Sequence, residues 1–160
     1  MKISHTARHL AALATLGLAA LALTGCSLIS SALNGGESGV FTLKVGDCLN
    51  DGETADEVST VPVVPCDKPH DSELYASATM DDDEYPGVDA TVEFADEVCL
   101  DQFEDFVGIS YDESIYGYGI IYPSEDSWAG GDREVLCSIG QTDESGDIVK
   151  VEGSLEGANE

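Results

Sequence analysis

Residues 73–80 read Glu-Leu-Tyr-Ala-Ser-Ala-Thr-Met, and this stretch decides the fold because it carries the clearest strand pattern in the chain. Leu74, Ala76, Ala78 and Met80 alternate with the residues between them. A period of two is typical of a half-buried β-strand. The stretch therefore predicts a strand near the centre of a folded domain.

The period of the apolar residues changes after this strand. Between residues 90 and 107, a period of 3.6 predicts an amphipathic helix whose acidic residues lie away from the apolar arc. Gly108 follows as a natural C-terminal stop. Phe94 falls outside the arc. The residues on the arc are Val92, Ala95, Cys99, Phe103 and Phe106.

The remaining patterns predict an α+β fold, with a mainly antiparallel sheet and one principal helix on one face. Residues 123–132 form a long turn in this interpretation, and residues 115–122 form a strand or an aromatic loop. Pro62 would place its strand at a sheet edge or break it. The other predicted strands are residues 41–45, 58–64, 134–139 and, as a weak one, 150–155.

The amino-terminal residues predict export and a lipid anchor. Residues 1–25 combine a basic start with an apolar run at 10–23, which is typical of a secretory signal and short for a membrane span. The run ends in Leu-Thr-Gly-Cys at residues 23–26, which resembles a lipobox and predicts lipidation of Cys26. The alternative is a signal anchor with Cys26 as a buried thiol.

The rest of the chain is predicted as three parts. Residues 26–39 are rich in Ser and Gly and form a flexible tether, residues 40–140 form the folded domain, and residues 141–160 form an acidic tail.

The charge of the mature chain excludes one class of partner. After Cys26, only four lysines and arginines stand against all 32 acidic residues, which leaves a formal charge of −28. Nucleic acid is excluded, because phosphate binding needs Lys and Arg. The charge indicates either a solvated surface or attraction to cations or a basic partner.

Four cysteines remain after lipidation of Cys26. An even number in an exported chain favours two disulfides, and four cysteines allow three pairings. Local loops favour the pairs Cys48–Cys66 and Cys99–Cys137. The competing hypothesis is a metal site that uses Cys66 with His70, although the paired short spacing of zinc ligands is missing.

No catalytic motif, cofactor motif or metal site is predicted. His70 is a candidate binding residue and lies in the run Pro-His-Asp-Ser-Glu at residues 69–73, which also fits a turn. Residues 82–93 match a calcium loop in part, with Gly87 at the position of its glycine. Trp128 and Arg133 are candidates for binding, or for a structural role in which Arg133 forms a fixed ion pair.

Several of these residues together resemble the septum formation domain family of actinobacterial envelope proteins. The resemblance spans residues 41–139, includes all four mature cysteines and brings no catalytic residues. It implies an exported, membrane-attached domain linked to septum or envelope processes. The matching pieces are residues 45–48, 64–66, 69–73, Cys99, Phe103, 106–108, 123–124, 127–128 and 131–137.

Two functional hypotheses follow. The first is a noncatalytic binding module, anchored through its lipid to the extracytoplasmic face of the cell membrane, whose partner is an envelope or division protein. The alternative is a hydrolase or metal-dependent envelope enzyme that uses His70, the single histidine of the mature chain.

Overall fold

The computed structural model describes residues 37–39, 42–50 and 60–160. The predicted leader, Cys26 and the tether up to residue 36 lie outside these ranges. In chain order the elements are β1 (Glu37–Gly39), β2 (Cys48–Leu49), β3 (Thr60–Val64), β4 (Ser72–Thr79), α1 (Val88–Val107), a 3₁₀ helix (Tyr111–Glu113), β5 (Tyr116–Ile121), α2 (Glu125–Ala129), β6 (Glu134–Thr142) and β7 (Ile148–Val149).

Within these ranges the strands form one antiparallel sheet in the order β1-β3-β2-β4-β6-β5, and β7 pairs with the end of β6. The main helix α1 packs on one face, against β4, β5 and β6. The predicted fold class, α+β with a mainly antiparallel sheet and one principal helix, is confirmed. None of the described helices has the length and apolarity needed to cross a membrane.

Helix α1 begins two residues before its predicted start. It ends before Gly108, whose left-handed φ of 94° lets its N–H donate to Glu104 O at 2.8 Å. The buried stripe includes Thr91 and Val107, while Val92 and Phe106 of the predicted arc are only half-buried. The five fully buried positions, spaced four residues apart, are Thr91, Ala95, Cys99, Phe103 and Val107.

The sheet buries apolar side chains on both faces, and β4 contributes to each. On the helix side, Tyr75 and Ala76 pack in the cluster that contains Cys99 and Phe103. Leu74 packs in a second cluster with Leu43, Leu49, Val61 and Leu136. The alternation in the sequence predicted that Leu74 and Ala76 lie on the same face of the sheet. This prediction is wrong, because an irregularity between them shifts the register of β4 against β6.

Two strand predictions also need correction. The described part of the predicted strand 41–45 contains no strand, because the chain turns there and Asp47 N–H donates to Lys44 O. Pro62 is not on an edge strand, since β3 lies between β1 and β2. Its carbonyl accepts from Asn50 N–H at 3.0 Å, one residue beyond the last β2–β3 pair. Proline has no N–H to donate, but Pro62 lies where the β2–β3 ladder ends. The missing donor therefore does not interrupt that ladder.

Two segments that were predicted to contain no helix or strand each contain one. The last three residues of the predicted tether, Glu37–Gly39, pair with β3. The predicted turn at 123–132 contains α2, which Ser124 caps by accepting from Ser127 N–H.

The fold continues past residue 140, where the tail was predicted to begin. Strand β6 runs to Thr142, and β7 lies just before the predicted weak strand 150–155. Within that predicted strand, only Val151 forms a bridge, with His70. Leu155 is buried in the helix-side core.

Candidate functional site

Within the described residues, four cysteines form two disulfides. Cys48 pairs with Cys66 and Cys99 pairs with Cys137, as predicted from the local loops. The second bridge ties the middle of α1 to β6. Since Cys66 is bonded to Cys48, it has no thiolate to offer a metal together with His70.

One group of candidate metal-ligand atoms occurs within the described ranges. It consists of Cys48, Cys66 and the Glu73 carboxylate, whose atoms lie within 4.8 Å of one another. Because both sulfurs belong to a disulfide, this group places a carboxylate beside the bridge and does not form an ordinary thiolate site. The residues of the calcium-loop match do not form such a group.

The polar run at 70–73, the best chemical candidate in the sequence, is buried throughout. His70 is 0% exposed, Asp71 8%, Ser72 7% and Glu73 3%. His70 Nδ1 lies 2.8 Å from Lys68 O, and its Nε2 is a buried atom without a hydrogen-bond partner. A base in this position does not contact solvent or a dissolved substrate.

The carboxylates of this run bind residues between 150 and 155. Lys150 Nζ pairs with Asp71 and also donates to Asn50 Oδ1 at 2.7 Å. Glu73 accepts from Ser154 Oγ at 2.8 Å and from Leu155 N–H at 2.7 Å. Residues 150–160, hereafter the C-terminal segment, are therefore attached to the start of β4 by polar contacts, of which the bond from Leu155 N–H to Glu73 is buried.

The same segment then closes the end of α1. Gly157 N–H donates to Phe106 O at 2.8 Å, and Asn159 N–H donates to Val107 O at 2.9 Å. These bonds satisfy carbonyls that the last turn of a helix leaves without intrahelical partners. Ser114 Oγ donates to Glu160 O at 2.6 Å and joins the segment to the start of β5. The polar run thus positions a segment that joins three elements.

Trp128 and Arg133 form a second polar and aromatic group. The Arg133 guanidinium carbon lies 3.8 Å from the centroid of the Trp128 ring, within the range of a cation–π contact. Arg133 Nη1 also donates to Trp128 O and Asp132 O, each at 2.7 Å. The predicted fixed ion pair is not formed with any carboxylate in the described ranges. Arg133 is held by carbonyls and by an aromatic face instead.

The Trp128 ring belongs to the core. It is 4% exposed and packs with Met80, Ala95 and Val135, and Phe94, which lay outside the helical arc, covers the same cluster. Trp128 Nε1 is buried without a hydrogen-bond partner. A ring in this position supports the fold and presents little surface to a ligand.

The structure does not bring His70 together with the Trp128–Arg133 pair. His70 lies two residues before β4, whereas Trp128 packs against Met80 directly after its other end. An eight-residue strand at about 3.3 Å per residue separates them by roughly 26 Å. The three candidate binding residues therefore belong to two separate places.

A concave surface that the sequence did not indicate lies, among the described residues, on the face of the sheet opposite α1. It is an open groove of about 390 Å³ over β5 and β6, and its floor contains Gly117, Gly119, Ser138 and Gly140. Glycines at alternate positions of β5 leave this face without side chains. The Tyr-Gly-Tyr-Gly pattern at 116–119 was the available signal, although it equally fits an aromatic loop.

On its other face β5 presents tyrosines to α1. Tyr118 donates from its hydroxyl to Asp96 Oδ1 at 3.1 Å. Burial, and after it the hydrogen bond to Asp96, raise the pKa of Tyr118 above its usual value. Tyr75 is also buried and donates to Cys99 O at 2.6 Å; burial is the larger cause that raises its pKa. These tyrosines are neutral hydrogen-bond donors at neutral pH.

Comparison with known proteins gives one family. The protein-family model described as septum formation matches residues 45–160, which include β2 to β7 and the whole C-terminal segment. No curated protein and no solved structure matches the chain.

Proposed function

This chain belongs to the septum formation family, and from that premise we propose that it is an exported, lipid-anchored, noncatalytic binding module that acts in cell division. The family description connects the chain with division. Anchoring, extracytoplasmic location and the absence of catalysis belong to the proposal. Its partner in this proposal is another protein of the envelope or of the division machinery.

The observation that carries the binding role is the burial of the one cluster with catalytic residue types. His70 is 0% exposed, and Asp71 and Glu73 bind Lys150, Ser154 and Leu155. These groups have a structural task in the domain. Asp71 and Ser72 lie at the border of the open groove over β5 and β6, but His70 and Glu73 lie behind them and are buried.

The two disulfides support export. Disulfides persist in oxidising compartments and are rare in the cytosol. They agree with the leader at 1–25 and with the cysteine arithmetic that reserves Cys26 for lipid. A diacyl anchor would hold the domain at the extracytoplasmic face of the cell membrane without a membrane-spanning helix.

Complementation of a strain that lacks the protein tests the proposal. The wild type and a Cys26→Ala variant would be compared, with Ser27→Ala as the control at the neighbouring position. We expect the wild type and the control to carry a diacylglyceryl thioether by mass spectrometry, to fractionate with membranes and to restore normal septa. Cys26→Ala should lose all three properties. A wild-type protein without lipid, or normal septa in the deletion strain, would contradict the proposal.

The alternative hypothesis, an enzyme that uses His70, makes a different prediction. A His70→Asn variant keeps a donor near the position of Nδ1, which contacts Lys68 O. If envelope material is turned over by the wild type and not by an equally stable His70→Asn variant, the noncatalytic proposal is wrong.

A further inference from the structure

Strand β5 is an edge strand of the sheet, at the end opposite β1. It pairs with β6, and no other strand of the described ranges lies along its outer side. Tyr116 N–H donates to Ser114 Oγ at 3.1 Å and not to β6. Because backbone groups alternate sides along a strand, those of Tyr118 and Ile120 also point outward. An exposed edge of this kind can pair with an added strand.

The glycines beside this edge differ in what requires them. A Cβ on Gly140 would lie 2.6 Å from Asp71 O, and a Cβ on Gly119 would lie 2.8 Å from Ser138 Oγ. The backbone oxygen of Asp71 therefore requires glycine at position 140, whereas at position 119 the Ser138 side chain would have to move. A Cβ on Gly117 would meet nothing within 4 Å, and its φ is not in the left-handed region.

Gly117 therefore weakens an edge strand without a packing or backbone reason inside the described domain. Glycine within a strand costs about 0.5–1 kcal/mol relative to alanine, and it often marks a place where another backbone approaches closely. At Gly117 the open space is the groove itself. The free edge of β5 and the groove are therefore next to each other. The open space at Gly117 is an observation independent of the unpaired edge.

The charges around β5 indicate what would occupy this edge. Asp112 and Glu113 are exposed just before the strand, and Glu125 and Asp126 are exposed just after it. The six residues of β5 carry no charge and span roughly 20 Å. The partner of best complementarity is neutral in its centre and basic at both ends. A second copy of this chain, which has a formal charge of −26, would be repelled.

We propose that the outer edge of β5 binds an extended segment of another protein as an added strand, with neutral residues over Gly117 and Gly119 and basic residues near the acidic groups at both ends. The main chain of Tyr118 and Ile120 supplies the ladder. This proposal deepens the proposed function by naming the chemistry of the partner, and it needs neither the lipid anchor nor a role in division.

The test uses the protein as it is purified from its own cells, with detergent present in every sample, and a fluorescent ten-residue peptide. The peptide has two lysines at each end and alternating threonine and valine between them. We expect saturable binding by fluorescence anisotropy that weakens as salt is raised. The same peptide with N-methyl groups on alternate central nitrogens keeps its charge, loses its ladder donors and should bind at least about tenfold more weakly.

Variants of the protein locate the site. Gly117→Val places a side chain in the groove with a Cβ that meets nothing within 4 Å, suits a strand and should weaken binding at least about tenfold. The control Thr79→Val changes an exposed strand residue outside the groove and should leave binding unchanged. Circular dichroism would show that both variants remain folded.

Charge variants test the ends of the strand. Asp112→Asn combined with Asp126→Asn should weaken binding and flatten its salt dependence, whereas the control pair Asp82→Asn with Asp83→Asn should do neither. Equal binding of the N-methylated peptide, or unchanged binding by a folded Gly117→Val variant, would overturn the proposal. Self-association of the wild type that Gly117→Val abolishes would also overturn it, because a second copy would then be the occupant. Failure here leaves the complementation test of the proposed function unaffected.

Discussion

Replacing Glu73 should release the C-terminal segment and destabilise the whole domain. The Glu73 carboxylate is 3% exposed and accepts from Ser154 Oγ at 2.8 Å and from Leu155 N–H at 2.7 Å. Glu73→Ala removes both acceptors and leaves the buried Leu155 N–H without a partner. Glu73→Gln retains one oxygen and removes one acceptor.

The magnitude follows from these two bonds. Hydrogen bonds to a charged group contribute about 1.5–3 kcal/mol each, and contacts within one network do not add fully. We expect Glu73→Ala to lower the free energy of unfolding by about 3–5 kcal/mol and Glu73→Gln by about 1–3 kcal/mol. Since small domains are stable by only about 5–15 kcal/mol, the first loss removes a large share of the total.

Urea denaturation measures the loss. At a slope of about 1.5 kcal/mol per molar, a loss of about 3 kcal/mol lowers the midpoint by about 2 M urea. Segment-resolved hydrogen exchange should show residues 150–160 losing protection before β4 and β6. The control Glu152→Ala changes an exposed carboxylate of the same segment and should cost less than about 0.5 kcal/mol. A loss below about 1 kcal/mol in Glu73→Ala, or an equal loss in Glu152→Ala, would refute the argument.

Three further predictions concern the core. Replacing Cys99 and Cys137 by serine opens a loop of 38 residues and should lower the free energy of unfolding, measured in urea, by about 4 kcal/mol. Opening the 18-residue loop of the Cys48–Cys66 bridge should lower it by about 3 kcal/mol. Equal losses would contradict the relation between loop length and stabilisation. Trp128→Ala should cost about 3–5 kcal/mol in thermal unfolding, whereas Trp128→Phe should cost much less because Nε1 has no partner to lose. Burial and the neighbouring Tyr118 raise the pKa of Tyr75, so the unfolded chain releases that proton at lower pH than the folded domain, and stability should fall as pH rises above about 10. In Tyr75→Phe the slope of unfolding free energy against pH should be shallower, and an unchanged slope would show that Tyr75 does not cause it.

Local patterns were sufficient to predict the elements that form the centre of the fold. The strands β4 and β6, the helical period of α1 and the stop at Gly108 were each predicted from neighbouring residues, and each is present in the structure. The disulfide partners followed from short loops. The shift in β4 between Leu74 and Ala76 was not predictable, because it depends on how β6 pairs with β4 and not on the β4 sequence alone.

The candidate site was predicted less well, because its contacts span long distances in sequence. Asp71 and Lys150 are 79 residues apart, and Glu73 and Leu155 are 82 residues apart. A cluster of His, Asp, Ser and Glu looks the same in the sequence whether its partners are a substrate or a distant segment of the same chain. The groove at Gly117 was missed for a related reason, since it consists of missing side chains on two strands that meet only after folding.

The small number of lysines and arginines explains two features of the domain. A buried carboxylate accepts hydrogen bonds from neutral groups, and the surface keeps its negative charge. Lys150 is bound by Asp71, and Arg133 is held by two carbonyls and the Trp128 ring, so neither neutralises an exposed carboxylate in the described structure. Glu73 has no basic partner there and is satisfied by an N–H and a hydroxyl. Such neutral donors stabilise a buried carboxylate without drawing on the few cations of the chain. The acidic groups around β5 consequently remain uncompensated, and that is the condition under which they can select a basic segment.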